Sequence, residues 1–328
     1  MAGDNETPAA MRAAATALLD SLDSGLKHQA NLAFSDEKMR RWIEYRPEPR
    51  PGACLADLDL ASRKAAHRLL ATALSRHAFA QAMTIVSLEE VLDSVEAGRR
   101  GRHSGDYWVV VFGDPGGDER WGWRFEGHHL SVTMTLDGDA VFPTPVFLGA
   151  NPARIDYAGR PVVRPLAPEE DLARALLDAI GPDGRADAVV ATTAPADIHS
   201  SVNPRAEPAI APLGVSSRRL GPTAHALLDH LVAAYLDRLP ADLAARESAR
   251  LHGAELHFAW EGSLHPGAGH YYRIQADDLL IEYDNTANNA NHAHTVLRRP
   301  LSDFGGDVLA AHRSEAPHAT ALGEGRLL

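Results

Sequence analysis

At 328 residues and 35.3 kDa, with 45% hydrophobic and 23% charged residues, the chain has the composition of a globular protein with a large core. A net charge of −12 argues against nucleic acid or an anionic membrane surface as the main partner, and a single cysteine, Cys54, excludes an intramolecular disulfide or a Cys-rich zinc cluster. No apolar run reaches the roughly 20 residues that span a bilayer, and the N-terminus shows no basic-then-apolar leader, so a cytoplasmic protein is expected.

Helices are predicted at Ala9–Leu22 and at Asp36–Tyr45, the second with Ser35 as N-cap and Asp36 and Glu37 in its first turn. Pro47, Pro49 and Pro51 then break the chain. Residues 1–50 are accordingly read as an N-terminal helical segment, and 51–328 as a single α+β unit. Helices follow at Asp57–Arg76 and Leu88–Ala97. From Tyr107 the apolar period shortens to two: Tyr107–Phe112 reads as a buried strand, and Trp121, Trp123 and Phe125 alternate with Gly122, Arg124 and Glu126. Past Gly127, Leu130, Val132, Met134 and Leu136 continue one face, which places His129 on the polar side of a strand and His128 on the apolar side. Residues 143–168 read as Pro-rich loop, Pro168–Ile180 as a helix stopped by Gly181-Pro182, and 195–222 as a long surface excursion. Helices at Thr223–Leu239 and Asp242–Leu251 lead into strands that run to about residue 297. The fold class is α+β, with helices packed on a largely antiparallel sheet.

The chain also looks similar to itself. Ala66-His-Arg-Leu-Leu70 resembles Ala224-His-Ala-Leu-Leu228, and residues 123–132 align with 272–281 without a gap, setting His128 and His129 against Asp277 and Asp278. Two pseudo-symmetric helix-plus-hairpin halves, about 57–150 and 219–300, give this pattern, as does shared hairpin patterning without duplication.

Chemistry concentrates in the histidines. In Asn291-His-Ala-His-Thr-Val296, two imidazoles at i and i+2 of an extended segment share a face and can reach one ion. Gly127-His-His-Leu130 supplies a second pair, so the candidate metal ligands are His128, His129, His292 and His294. Neutral imidazoles with one or two carboxylates suit a divalent transition metal, zinc, iron(II) or copper, rather than magnesium or calcium. Glu282 and His270 are the candidate acid–base residues. Glu282 projects with Asp284 to one strand face. Trp123, Arg124, Tyr272, Arg273 and Asn285 are the candidate contacts to a small-molecule substrate, the aromatics as a wall and the arginines as bidentate donors. No Gly-x-Ser-x-Gly elbow, Walker loop or His-Glu-x-x-His is present.

Several longer stretches carry a family resemblance. Trp121-Gly-Trp-Arg-Phe-Glu-Gly-His-His-Leu-Ser131, Thr144-Pro-Val-Phe-Leu-Gly-Ala-Asn-Pro152, His270-Tyr-Tyr-Arg-Ile274, Glu282-Tyr-Asp-Asn285 and Asn291–Val296 together resemble the DUF3500 family. The resemblance runs from about residue 40 to residue 313 and implies no reaction. One departure is Ala287, where the family carries Gln. From the residues, a metal-dependent enzyme acting on a small polar molecule by hydrolysis or lyase chemistry is expected. An iron or copper oxidoreductase on the same ligands, or a non-catalytic metal- or ligand-binding protein, are the alternatives.

Overall fold

The computed structural model describes residues 6–206 and 212–306. The first half contains α1 (Glu6–Ser21), α2 (Ser24–Ala30), β1 (Asn31–Leu32), α3 (Glu37–Arg40), β2 (Ala53–Cys54), α4 (Leu60–Ala73), α5 (Arg76–Val95), β3 (Tyr107–Phe112), β4 (Trp121–Gly127), β5 (Leu130–Asp137), β6 (Ala140–Phe142) and β7 (Val146–Ala150). A small hairpin, β8 (Ile155–Tyr157) and β9 (Arg160–Val163), leads to the second half. That half contains α6 (Ala167–Ala179), α7 (Gly181–Ala188), β10 (Val189–Ala191), β11 (Val215–Ser216), α8 (Pro222–Leu236), α9 (Ala241–Arg250), β12 (His257–Gly262), β13 (His270–Ala276), β14 (Leu279–Asn285) and β15 (Ala293–Arg298).

The main strands form one sheet in the order β1-β3-β4-β5-β7-β15-β14-β13-β12-β10, antiparallel except for the outermost pairs β1–β3 and β10–β12. This order reads alike from either end. Each half begins with two helices and a short parallel edge strand, crosses to a second edge strand (β2 or β11), forms a helix pair and ends in an antiparallel meander. The repeated order of elements is therefore wider than the sequence similarity suggests, taking in α1 and α6 as well. The halves join at β7–β15, where Val146 pairs with Leu297.

Side-chain alternation divides the sheet into two unlike faces. Val109, Val111, Trp123, Phe125, Val132, Leu148, Ile281, Tyr283, Tyr272 and Ile274 join the core shared with α1, α4, α5, α6 and α8. The reverse face carries Arg124, Glu126, Ser131, Phe147, Glu282, Asp284, Tyr271 and His294. It is covered by two irregular arms, residues 33–52 and 192–214, of which 207–211 lie outside the described residues. The arms meet in a small apolar cluster of Ile43, Tyr45, Ile198, Phe147, Tyr271 and Val296. That cluster leaves many buried polar groups on this face to be satisfied by the arms' backbone.

Several expectations need correction. The helix expected at Asp36–Tyr45 is only Glu37–Arg40, capped by Asp36, because the backbone beyond it crosses the sheet and Tyr45 O accepts from His129 N. The helix expected at Leu88–Ala97 is a 20-residue helix starting at Arg76, capped by Ser75. The loop expected at 143–168 contains β7, a central strand bracketed by Pro145 and Pro152, with all five of its residues buried. The stop at Gly181-Pro182 instead opens α7, with proline in the first turn, where its missing N–H costs nothing. Among the described residues no helix is long and apolar enough to cross a membrane.

Candidate metal centre

The centre forms at the sheet end where β4 turns into β5 and β15 begins. His128 and His129 are the two turn residues, between the paired Gly127 and Leu130, and not strand residues as expected. His129 holds φ at +62°, a left-handed conformation that costs about 1–3 kcal/mol outside glycine and persists only where the surroundings enforce it. Here the enforcement is backbone pairing on both sides: His129 N donates to Tyr45 O (3.0 Å), and its O accepts from Gly149 N (2.7 Å). The turn thereby aims the His129 ring across β7 toward β15.

Gly149 makes room for it. A Cβ at this position would lie 2.9 Å from His129 Cδ2 and 3.1 Å from His294 Cδ2. Gly149 pairs with His294, so the missing side chain clears a slot in which two rings from the two halves approach. His292, one residue before β15, has its N–H fixed by Asn285 Oδ1 at 3.0 Å.

The outcome is a convergence of His129, His292 and His294, one ring nitrogen from each lying within 4.8 Å of the others. His129 Nε2 and His292 Nε2 are 2.8 Å apart. That is close to the roughly 3 Å kept by two nitrogens that ligate one ion at ~2.0–2.1 Å each. Burial holds the His129 pKa well below the usual imidazole value, with further lowering from His128, His294 and His292. The His292 pKa falls to about 3, again through burial first and then His294. Both are therefore neutral, lone-pair-bearing donors at neutral pH.

His294 is different. Its Nδ1 donates to Asp197 Oδ1 at 2.9 Å and lies 3.2 Å from Asp284 Oδ1. Burial alone would lower its pKa, but the two carboxylates outweigh burial and raise it to about 9. Asp197 is oriented in turn by Tyr45 Oη (2.8 Å), and Tyr45 stacks on Phe147 with ring centroids 3.9 Å apart. A carboxylate behind Nδ1 leaves Nε2 facing the cluster, the arrangement that fixes the tautomer and raises the basicity of a ligating histidine.

His128 stacks on His129 at 3.7 Å, but its Nδ1 is committed to Glu89, a buried residue of α5. Nδ1 faces both the Glu89 carboxylate, which only accepts, and Arg102 Nη1 at 3.2 Å, which only donates. Arg102, salt-bridged to Glu96 at 2.9 Å, closes this network from outside. A cleft of about 260 Å³ opens over the cluster, with Tyr45, Arg46, Arg100, Asn151 and Asn288 among its lining residues.

The other candidates lie elsewhere. Trp123 and Tyr272 are fully buried on the helix-facing side of the sheet; Tyr272 Oη donates to Glu169 O (3.0 Å). Arg124 is buried against Glu126 (2.7 Å), and Arg273 sits opposite Glu282 in the β13–β14 register. Glu282 is sealed beneath the second arm, accepting from Ser200 N (3.2 Å) and Tyr271 Oη (2.9 Å). His270 lies under α6, held by Arg174 (3.0 Å) and stacked on Trp260. Asn285 supports the His292 backbone. Tyr45, Glu89 and Asp197 are site residues that sequence reasoning did not single out; no periodicity or motif marks them.

The family model described as "Protein of unknown function (DUF3500)" matches residues 4–306. No curated protein and no solved structure matches the chain.

Proposed function

The chain belongs to the DUF3500 family, whose description assigns no activity, and we propose from the site itself that the protein is a metal-dependent enzyme acting on a small polar molecule. The observation that carries this reading is the three-histidine convergence beneath an open cleft. Three imidazoles from one side, with the cleft on the other, match the ligand set of a catalytic rather than a closed structural site. Nitrogen donors favour zinc, iron(II) or copper over magnesium or calcium.

A bound ion of this kind supplies Lewis acidity and an acidified water, which favours hydrolysis or a lyase step. The protein's own part follows from the geometry. His129 and His292 offer lone pairs without first losing a proton, and Asp197 and Asp284 hold His294 in one orientation. His128, whose Nδ1 is shared by Glu89 and Arg102, is the residue assigned to take up a proton at Nε2. That role suits His128 better than Glu282 or His270, whose oxygens and ring are occupied under the arm and under α6. The two arms are clasped beside the cluster by Tyr45 and Asp197.

Elemental analysis by mass spectrometry on protein purified without a metal-affinity tag tests the proposal. Near-stoichiometric zinc that disappears in His294→Ala supports the hydrolytic reading, and iron or copper would make it an oxidoreductase. Absence of metal after reconstitution, or unchanged content in His294→Ala, refutes it.

A further inference from the structure

The chain is acidic overall, yet the cleft over the histidines is rimmed by Arg46, Arg100 and Arg102 against two acids, Glu96 and Asp197. Both acids are already engaged. Glu96 Oε1 and Oε2 accept from Arg102 (3.1 and 2.9 Å), and Asp197 accepts from His294 (2.9 Å) and Tyr45 (2.8 Å). The arginines are not engaged to the same degree. Arg46 uses Nε and Nη2 on Glu44, and among the described residues no acceptor holds its Nη1. Arg100 is 63% exposed and touches Glu96 only at 3.7 Å through Nε, leaving both terminal nitrogens uncommitted among the described residues. Asn151, most of it buried, spends its Oδ1 on Asn288 at 3.2 Å and turns the donating half of its amide to the same space. Around the rim, outside the histidines, the unspent hydrogen-bonding capacity is thus mostly donor, and mostly cationic.

Donors without matching acceptors select an acceptor-rich ligand, and planar guanidinium groups pair bidentately with carboxylate or phosphate oxygens. A positive rim on a negatively charged molecule also concentrates anions at that one opening. We infer that the substrate of this cleft carries an oxyanion, a carboxylate or a phosphate, bound by Arg46 and Arg100 with its reacting end toward the histidines. This deepens the proposed function and rests on it for the meaning of "substrate". The anion-binding property itself does not require the metal.

The test is calorimetric titration of the purified full-length protein with inorganic phosphate and, separately, acetate. It is run on the protein as isolated, and again after zinc loading and removal of free metal. Wild type is compared with Arg46→Gln, Arg100→Gln and the double variant, and metal content is measured on each sample. Saturable binding of either anion, weakened at least tenfold in the double variant at unchanged metal content, is the expected result. The stronger binder of the two identifies the oxyanion. Equal affinity in wild type and the double variant, or no binding of either anion at tens of millimolar, overturns the inference. Bound metal without anion binding would remove this inference and leave the metal reading intact. Arginine-dependent anion binding in protein that never takes up metal would do the reverse.

Discussion

The protonation of His294 sets the pH dependence of the metal-free protein, and its sign follows from the geometry. A histidine whose pKa is about 9 in the folded chain and roughly 6.5 in the unfolded chain stabilises the fold as long as it stays charged in the native state. The contribution is fully present below pH 6.5 and is lost as pH rises through about 9. At about 1.4 kcal/mol per pKa unit, the 2.5-unit difference corresponds to about 3 kcal/mol for this side chain, which is 12% exposed. His292 acts in the opposite direction. With its pKa depressed to about 3, the stability it permits is present above pH 6.5 and is lost as pH falls toward 3. His129, depressed for the same reason, adds to the acid limb. Stability of chelator-treated protein should therefore peak near pH 6.5 and fall from there as pH rises to about 9. Urea unfolding at half-unit intervals from pH 5.5 to 9.5 measures this, and Asp197→Asn should flatten the alkaline limb by removing one of the two negative charges that hold Nδ1 protonated. Saturating zinc should also flatten it, since a ligated Nε2 has no proton left to lose. A flat profile between pH 6.5 and 9.5, or an alkaline slope unchanged in Asp197→Asn, would refute the His294–Asp197 pairing as the source.

Other substitutions separate site from scaffold. Gly149→Ala inserts a methyl between the His129 and His294 rings and should lower metal affinity about 10–100-fold, as losses of ligand support do, while circular dichroism stays native. His129→Gly relieves a positive φ and should raise the unfolding midpoint slightly while abolishing metal uptake; a stability loss would contradict the strain argument. Trp123→Ala should cost about 3–5 kcal/mol in denaturant unfolding and leave the metal stoichiometry of the folded fraction unchanged, since the ring packs in the helix-facing core. Glu282→Gln should destabilise by about 1–3 kcal/mol without altering metal content; a variant with normal stability and no metal would restore Glu282 to the site.

The histidine pair at 292 and 294 was legible because strand alternation is a local rule, and 294 does fall on β15 beside 292. The α+β class was legible for a similar reason: it shows in periodicity. What escaped was non-local. Tyr45 and Asp197 lie on arms with no repeating pattern, and their meeting at His294 depends on chain crossing from opposite edges of the sheet. The alternation that located Trp123 and Tyr272 on strands could not tell which face looks to the helices, and both point there. Asp284 and Glu282 share a face as the sequence predicts, but only Asp284 lies opposite His294 in register; two residues along the strand separate a site carboxylate from a buried one. His128-His129 was read through as strand because a two-residue turn without glycine or asparagine gives little signal.

The candidate ligands do not belong to one half. His129 and Tyr45 come from the first half, His292, His294 and Asp197 from the second, so neither half alone can assemble the cluster. The position that corresponds to the histidine turn in the other half is the Asp277-Asp278 turn between β13 and β14. There Asp278 and Glu247 are ion-paired to Arg299 at 2.5 and 3.2 Å. The same asymmetry makes the protein separable: expressed as two pieces cut in the β8–β9 hairpin, it should take up metal only when the pieces reassociate.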